Sequence, residues 1–191
     1  MKVVAINGSP RKKGNTHNSL RRILGSLEKN GKETEFIQLG GGAAGGCTAC
    51  YKCFDSKDGA CHGRKDDINS MITAIMSADA VLLGSPVYFG SVTAEMKALI
   101  DRAGLVSRAN GHLLSRKVGA AVVSVRRQGG LATFNQINQF FLINNMIVPG
   151  AGYWNIAMGR EPGDALNDEE GMKTMDELAD NIVWLLGRLA G

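Results

Sequence analysis

Residues 3–16 read VVAINGSPRKKGNT, and the order of chemistry along this stretch decides the fold. Val3 to Ile6 is apolar at consecutive rather than alternate positions, the pattern of a strand buried on both faces of a parallel sheet. The run stops at Asn7-Gly8-Ser9-Pro10. Asn15 or Thr16 then offers a cap for a helix whose apolar positions, Leu20, Ile23, Leu24 and Leu27, recur at helical spacing until Asn30-Gly31 ends it. Strand, loop and helix in this order are the first half of a parallel crossover unit.

Outward from this stretch the plan repeats. Thr34 to Leu39 reads as a second strand, followed by a long irregular insertion, about residues 40–66, rich in Gly and Cys; unstructured loops of this length inside a compact domain are usually functional. Ile68, Met71, Ile72 and Ile75 share one helical face, and Ala80 to Gly84 is the next apolar strand. Thr93 caps a helix carrying Met96, Leu99 and Ile100, and Val118 to Val125 is a further strand. A helix near Leu131 to Asn144, a fifth strand around Met146 to Val148, and a last helix from about Asn167 complete the chain. That helix has Asp168, Glu169 and Glu170 in its first turn, which suits the macrodipole, and Met172, Met175, Leu178, Ile182, Leu185 and Leu189 along one face. Strands alternating with helices require a parallel sheet covered on both faces, a doubly wound α/β domain.

Bulk composition sets the outer limits. The chain has 191 residues, 44% apolar and 21% charged, which suits one domain over residues 1–191. With 22 basic and 18 acidic side chains the net charge is +4, too even to point to nucleic acid or a membrane surface as partner. MKVVAINGSP is too short in its apolar run for a secretory leader, and no apolar stretch approaches the roughly 20 residues of a membrane span. The expectation is a cytoplasmic protein, in which four cysteines stay reduced rather than form a disulfide framework.

In doubly wound sheets the ligand crevice lies outside the carboxyl ends of the strands, where the strand order reverses. Gly8 to Thr16 sits at such an end and feeds a helix N-terminus, where backbone N–H groups favour an anion; Ser9, Asn15 and Thr16 can donate to a phosphate and Arg11 can add charge. A Walker loop is excluded, because five residues separate Gly8 from Gly14 and Asn15 stands where lysine is required. Gly40, Gly42 and Gly45 satisfy G-x-G-x-x-G but lead into cysteines rather than a helix, so the dinucleotide fingerprint lacks its context. The plainer alternative for the first loop is a polar strand-to-helix turn with a solvated Arg11-Lys12-Lys13 run.

The third strand ends in Ser85-Pro86-Val87-Tyr88-Phe89-Gly90-Ser91-Val92-Thr93, again before a helix and across the crevice from the first loop. An aromatic pair and free amides there suit a flat heterocycle; packing beneath the loop is the alternative. With GSPRKKGNT, SPVYFGSVTAEMKALIDR and the strand and loop from Val118 to Gly130, the chain resembles the NADPH-dependent FMN reductase and iron–sulfur flavoprotein group of flavodoxin-like proteins. The resemblance implies a five-stranded parallel sheet of order 2-1-3-4-5 with helices on both faces. It also implies FMN, its phosphate on Ser9, Arg11, Asn15 and Thr16 and its ring against Pro86, Val87, Tyr88, Phe89 and Gly90. A third contact is implied from the SVRRQGG segment, through Ser124, Val125, Arg126 and Gly129. The implied activity is that of a flavin-dependent oxidoreductase passing electrons from NAD(P)H or a ferredoxin-like donor, through a cluster and FMN, to a small acceptor; a cluster-free NAD(P)H-dependent FMN or quinone reductase and a non-catalytic zinc-binding interaction module are the alternatives. Such a site needs no side-chain nucleophile or acid–base pair, since the flavin carries the chemistry while the protein orients and tunes it.

All four cysteines fall in the insertion, as Cys47-x2-Cys50-x2-Cys53-x7-Cys61. C-x2-C-x2-C is the spacing by which a loop wraps successive thiolates round a cubane cluster, although here the gap to the fourth cysteine is longer and His62, not proline, follows it. The resemblance implies a [4Fe–4S] cluster on Cys47, Cys50, Cys53 and Cys61, and homo-oligomers, dimers or tetramers, in which a neighbour's cluster approaches the flavin. A zinc site, a redox-active thiol pair and a loop without any metal remain as alternatives. His17, His62 and His112 read as surface residues, His62 alone being placed to substitute for a cysteine. Tyr153-Trp154 suits an interface, a flavin cover or simple packing.

Overall fold

Side-chain alternation along three strands divides the core in two. A computed structural model describes residues 1–190. In β1 (Lys2–Asn7), β3 (Ala80–Pro86) and β4 (Val118–Val125), Val3, Ala5, Ala80, Leu82, Val118, Ala120 and Val122 point to one face. Val4, Ile6, Val81, Leu83, Ala121 and Val123 point to the other. Each face is therefore apolar and must be covered, as the consecutive apolar runs required. The first is covered by α1 (Asn15–Lys29) and α6 (Glu169–Leu189), the second by α3 (Ile68–Ser77), α4 (Ala94–Ala109) and α5 (Gly130–Ile143). Leu20, Ile23, Leu24 and Leu27 of α1 are all buried, each contributing about 1.5–3 kcal/mol.

With β2 (Glu33–Gln38) and β5 (Ile156–Met158) the sheet has the order β2-β1-β3-β4-β5 and every pairing is parallel. β2 lies on one edge, Val3 of β1 pairing with Thr34 on that side and with Ala80 on the other. The doubly wound arrangement and its strand order are those expected. Close approach is visible at Gly84 of β3, where a Cβ would stand 2.6 Å from Leu20 Cδ1 and 2.9 Å from Thr16 Cγ2, so any side chain there would force these two side chains of α1 to shift.

Three local expectations are corrected. The fifth strand is not Met146–Val148. Ile147 makes only an isolated bridge to Val118, and Pro149, lacking an N–H, cannot continue the ladder. β5 is instead Ile156–Met158, paired with the other end of β4 through Val123, Ser124 and Val125, so Tyr153-Trp154 precede the strand rather than follow it. The cap of α1 is Gly14, with neither Asn15 nor Thr16 bonding to the first turn. The last helix begins at Glu169, after a 3-10 turn over Asp164–Asn167, with Asp168 as its cap accepting from Gly171 N–H at 3.0 Å. The insertion also contains a short helix that the sequence did not announce, α2 (Lys52–Ser56). No helix among the described residues is long and apolar enough to cross a membrane.

Candidate active site

The ends of β1, β3 and β4 meet in one pocket of about 180 Å³, lined by Ser9, Arg11, Asn15, Thr16, Pro86, Val87, Tyr88, Ser124, Arg126, Gly159 and Arg160. Nine of the expected flavin residues are in that set, drawn from all three predicted segments. The loops are tied to one another before any ligand enters. Thr93, buried at the start of α4, donates its hydroxyl to Gly8 O at 2.8 Å and accepts from Met96 N–H at 3.3 Å. Its own N–H donates to the Ser85 hydroxyl at 3.1 Å. One residue thus joins the first loop, the third-strand loop and a helix cap. Val87 N–H donates to Ser124 O at 3.0 Å, linking the second loop to the third.

The first loop is braced from below. Gln38 at the end of β2 donates to Ser9 O and Gly40 O, each at 2.7 Å, and accepts from the Asn7 amide at 2.8 Å. Ser9 Oγ accepts from Arg11 N–H at 3.2 Å, curling the chain into a concave turn at the N-terminus of α1. The Asn15 side chain lines the pocket but is occupied elsewhere. Its Oδ1 accepts from Gly163 N–H and Ala165 N–H at 2.9 and 3.2 Å, and its Nδ2 donates to Glu161 O at 3.0 Å. Asn15 therefore holds the segment after β5 over the pocket, which is how Gly159 and Arg160 come to line it. Neither residue is singled out by a local motif, because the contact spans nearly the whole chain.

Two hydroxyls in this pocket, Thr16 Oγ1 and Ser124 Oγ, are buried without a hydrogen-bond partner among the described residues. Buried unpaired hydroxyls are costly in an apolar interior, and here both belong to pocket-lining residues, which fits a ligand rich in acceptors.

Phe89 and Gly90 do not line the pocket. Tyr88 and Ser91 exchange N–H···O bonds of 2.9 and 3.1 Å, closing a two-residue turn in which Phe89 and Gly90 take φ of 50° and 77°. The turn throws the Phe89 ring fully into solvent, with Tyr88 half-exposed beside the pocket mouth. Gly129 lies against that turn: at φ 87°, a Cβ there would stand 2.9 Å from Val87 Cγ1 and 3.2 Å from Gly90 Cα. Val125 and Gly129 face a neighbouring cleft with Tyr153, Trp154 and Met158.

The cysteines form a second site. Cys47, Cys50, Cys53 and Cys61 line one small cavity with Thr48, Tyr51, His62, Gly63 and Arg102. The local chain is sharply curled, with Ala49, Tyr51 and Lys57 at φ of 51°, 55° and 47°, a left-handed conformation that is sparsely populated outside glycine. Ala49 N–H donates to Cys47 Sγ at 3.4 Å. The Lys52 amide and the Thr48 hydroxyl hold the Cys50 thiol below its ordinary value, whereas burial pushes the Cys53 thiol up. His62 is committed to Asp58, 2.9 Å away.

Arg102, on α4, also belongs to this site, although no cysteine motif points to it. Its side chain is fully buried; Nε donates to Cys61 Sγ at 3.2 Å and Nη1 donates to both Asp66 oxygens at 2.8 and 2.6 Å and to Gly45 O at 3.2 Å. The guanidinium holds the Asp66 carboxyl below the usual carboxylate range. The signal was legible: Met96, Leu99, Ala103 and Val106 mark the buried stripe of α4, and Arg102, three residues beyond Leu99, falls on it.

No group of three or more His, Cys, Asp or Glu placed to hold a metal ion occurs among the described residues. The four thiols nevertheless line one cavity, with Ala49 N–H directed at Cys47 Sγ and Arg102 Nε at Cys61 Sγ, a donor chemistry that would suit an iron–sulfur cluster.

The family described as NADPH-dependent FMN reductase matches residues 1–161. This chain belongs to that family. An iron–sulfur flavoprotein of Methanocaldococcus jannaschii is 40% identical over 189 residues, covering 95% of each chain. A second iron–sulfur flavoprotein of that organism is 33% identical over 202 residues, covering the whole of both. Among solved structures, a flavodoxin from the domain Archaea superposes over the full length of both chains with a TM-score of 0.63 at 15% identity, a likeness of fold. As a member of the FMN reductase family the chain is a flavin-dependent oxidoreductase, and its chemistry is FMN-dependent oxidoreduction.

Proposed function

We propose that the pocket at the ends of β1, β3 and β4 holds FMN, that the insertion holds a [4Fe–4S] cluster, and that electrons pass from a reduced donor through these two groups to a small acceptor. The observation that carries the flavin assignment is the pair of buried, unpartnered hydroxyls, Thr16 Oγ1 and Ser124 Oγ, on pocket-lining residues. In this reading the first loop takes the phosphate, with Ser9 and Thr16 donating hydroxyl bonds and Arg11 adding charge, while Pro86, Val87 and Tyr88 flank the ring. Asn15 contributes by positioning the Gly159–Arg160 segment. Phe89, Gly90, Val125 and Gly129 act around the pocket rather than within it, setting the shape of the turn and the neighbouring cleft.

FMN supplies the hydride and single-electron chemistry when bound. The chain's own part is to fix the ring's orientation and surround it with fixed dipoles. The Thr93 and Val87 hydrogen bonds keep the three loops in register without a ligand, which lowers the ordering cost of binding. Cys47, Cys50, Cys53 and Cys61 would ligate the cluster, and the names of the most similar relatives support this. The donor is NAD(P)H or a ferredoxin-like protein, and a second copy of the chain brings its cysteine loop toward the flavin in a homo-oligomer of the cytoplasm. A cluster-free NAD(P)H-dependent FMN or quinone reductase is the second reading, favoured by the family description itself.

Anaerobic purification followed by FMN reconstitution and gel filtration tests the first point: a flavin absorption band co-eluting with protein is expected, and its absence defeats the assignment. Iron and sulfide counts on the same sample separate the two readings, since full FMN with no iron leaves only the reductase.

A further inference from the structure

Arg102 is chemically out of place. It is a fully buried guanidinium on the apolar face of a helix, and its charge is answered on one side only. Asp66 accepts from Nη1, and Gly45 O accepts from the same nitrogen. On the opposite side Nε meets the sulfur of Cys61, while Nη2 is buried with no partner at all among the described residues. A buried guanidinium N–H left unpaired is costly, and an ion pair that only stabilised the fold would be expected to satisfy it. The same residue lines the cavity ringed by the four cysteines. The pair is therefore oriented, with the positive end toward sulfur and the carboxylate behind it.

From this arrangement we infer that Arg102 is a positioning and tuning residue for the cluster, giving it a charged N–H···S bond at Cys61 and a second donor through Nη2, and so raising its reduction potential. The inference rests on the cluster reading above. Its physics is simple: one-electron reduction adds a negative charge to an already anionic assembly, and a fixed cation in a water-poor setting favours the reduced form. Asp66, placed behind the cation, attenuates that effect. The two residues therefore pull the potential in opposite directions, although they are partners in one ion pair. A merely structural salt bridge has no such asymmetry, because losing either partner would loosen the same loop.

The experiment uses the anaerobically reconstituted protein carrying both FMN and cluster, with dithionite as reductant and redox mediators. Iron and sulfide are counted first, and a wild-type protein that takes up neither defeats both the cluster reading and this inference. With a cluster present, Arg102→Gln is expected to lower the reduced-to-oxidised ratio of the cluster at a fixed poise at least tenfold, a shift of about 59 mV to more negative potential for one electron. Asp66→Asn is expected to shift it to more positive potential. A loaded Arg102→Gln protein whose potential is unchanged overturns the inference while leaving the cluster reading intact. If that variant does not load, wild-type protein grown with 15N-guanidinium arginine decides. Pulsed electron paramagnetic resonance of the reduced cluster should show a resolved arginine 15N coupling, and its absence overturns the proposal.

Discussion

The strand-end pocket and the cysteine loop both follow the carboxyl ends of strands of the one sheet but are held in different ways. The pocket is made where three core strands end, and its loops are cross-tied by neutral hydrogen bonds from Thr93, Gln38 and Val87. The cysteine loop is an insertion with non-glycine residues in left-handed conformation, anchored at Arg102 by a buried ion pair. The first site follows from the sheet; the second depends on one helix lending a charge to a segment that packs little apolar surface of its own. Many small bonds make a site tolerant of losing any single one, whereas a buried charge makes its partner indispensable.

The sharpest way to break this contrast is Asp66→Ala. It leaves Arg102 charged, buried and without its carboxylate, so a loss of about 3–5 kcal/mol in urea unfolding is expected. A loss under about 1 kcal/mol would mean that the loop is anchored elsewhere. On the flavin side, Thr93→Val removes a donor to Gly8 O and the acceptor for Met96 N–H, and should cost about 1–3 kcal/mol by the same measurement. Thr16→Val sharpens the contrast further. Its hydroxyl has no partner in the protein alone, so apoprotein stability should be unchanged or slightly higher, while FMN affinity by fluorescence titration falls about tenfold, equivalent to about 1.4 kcal/mol. Equal FMN affinity in the variant would remove Thr16 from the phosphate site.

The smallest effect concerns acid. Asp66 is held below its ordinary value in the folded chain, whereas in the unfolded chain it titrates near about 3.9. Its stabilising contribution is thus complete above that unfolded value and is lost as pH falls through the lower folded one. Asp66→Asn should accordingly flatten the decline of apoprotein stability below about pH 4. An unaltered acid limb in the variant would assign the decline to other carboxylates.

How much of this was visible in the chain beforehand depends on range. The phosphate turn is a local motif, with Gly, Ser, Pro and Asn at fixed offsets between an apolar run and a helix, and it reads directly. The strand Ile156–Met158 does not, because three residues carry no usable periodicity and the more apolar Met146–Val148 competes for the same strand, β4. The partners of the Asn15 amide, Glu161, Gly163 and Ala165, lie at the far end of the chain, so no local motif shows them. Composition shows the aromatic pair Tyr88-Phe89 but not the turn that points its members apart. Cys61 and Arg102 were the opposite case: each carried a local sign, a cysteine at an unusual gap and a charge on an apolar stripe, but only the fold brings them within 3.2 Å.

Helix α4 is capped by Thr93, which ties the first and third-strand loops together, and nine residues later presents Arg102 to the cysteines. At 1.5 Å per residue that interval is a rod of about 13 Å. One added residue between the two would lengthen it little but would swing Arg102 about 100° round the helix axis, out of reach of the sulfur. Insertions are therefore barred from this stretch far more strictly than substitutions, and the spacing between the strand-end pocket and the cysteine loop is gauged by about two and a half turns of a single helix.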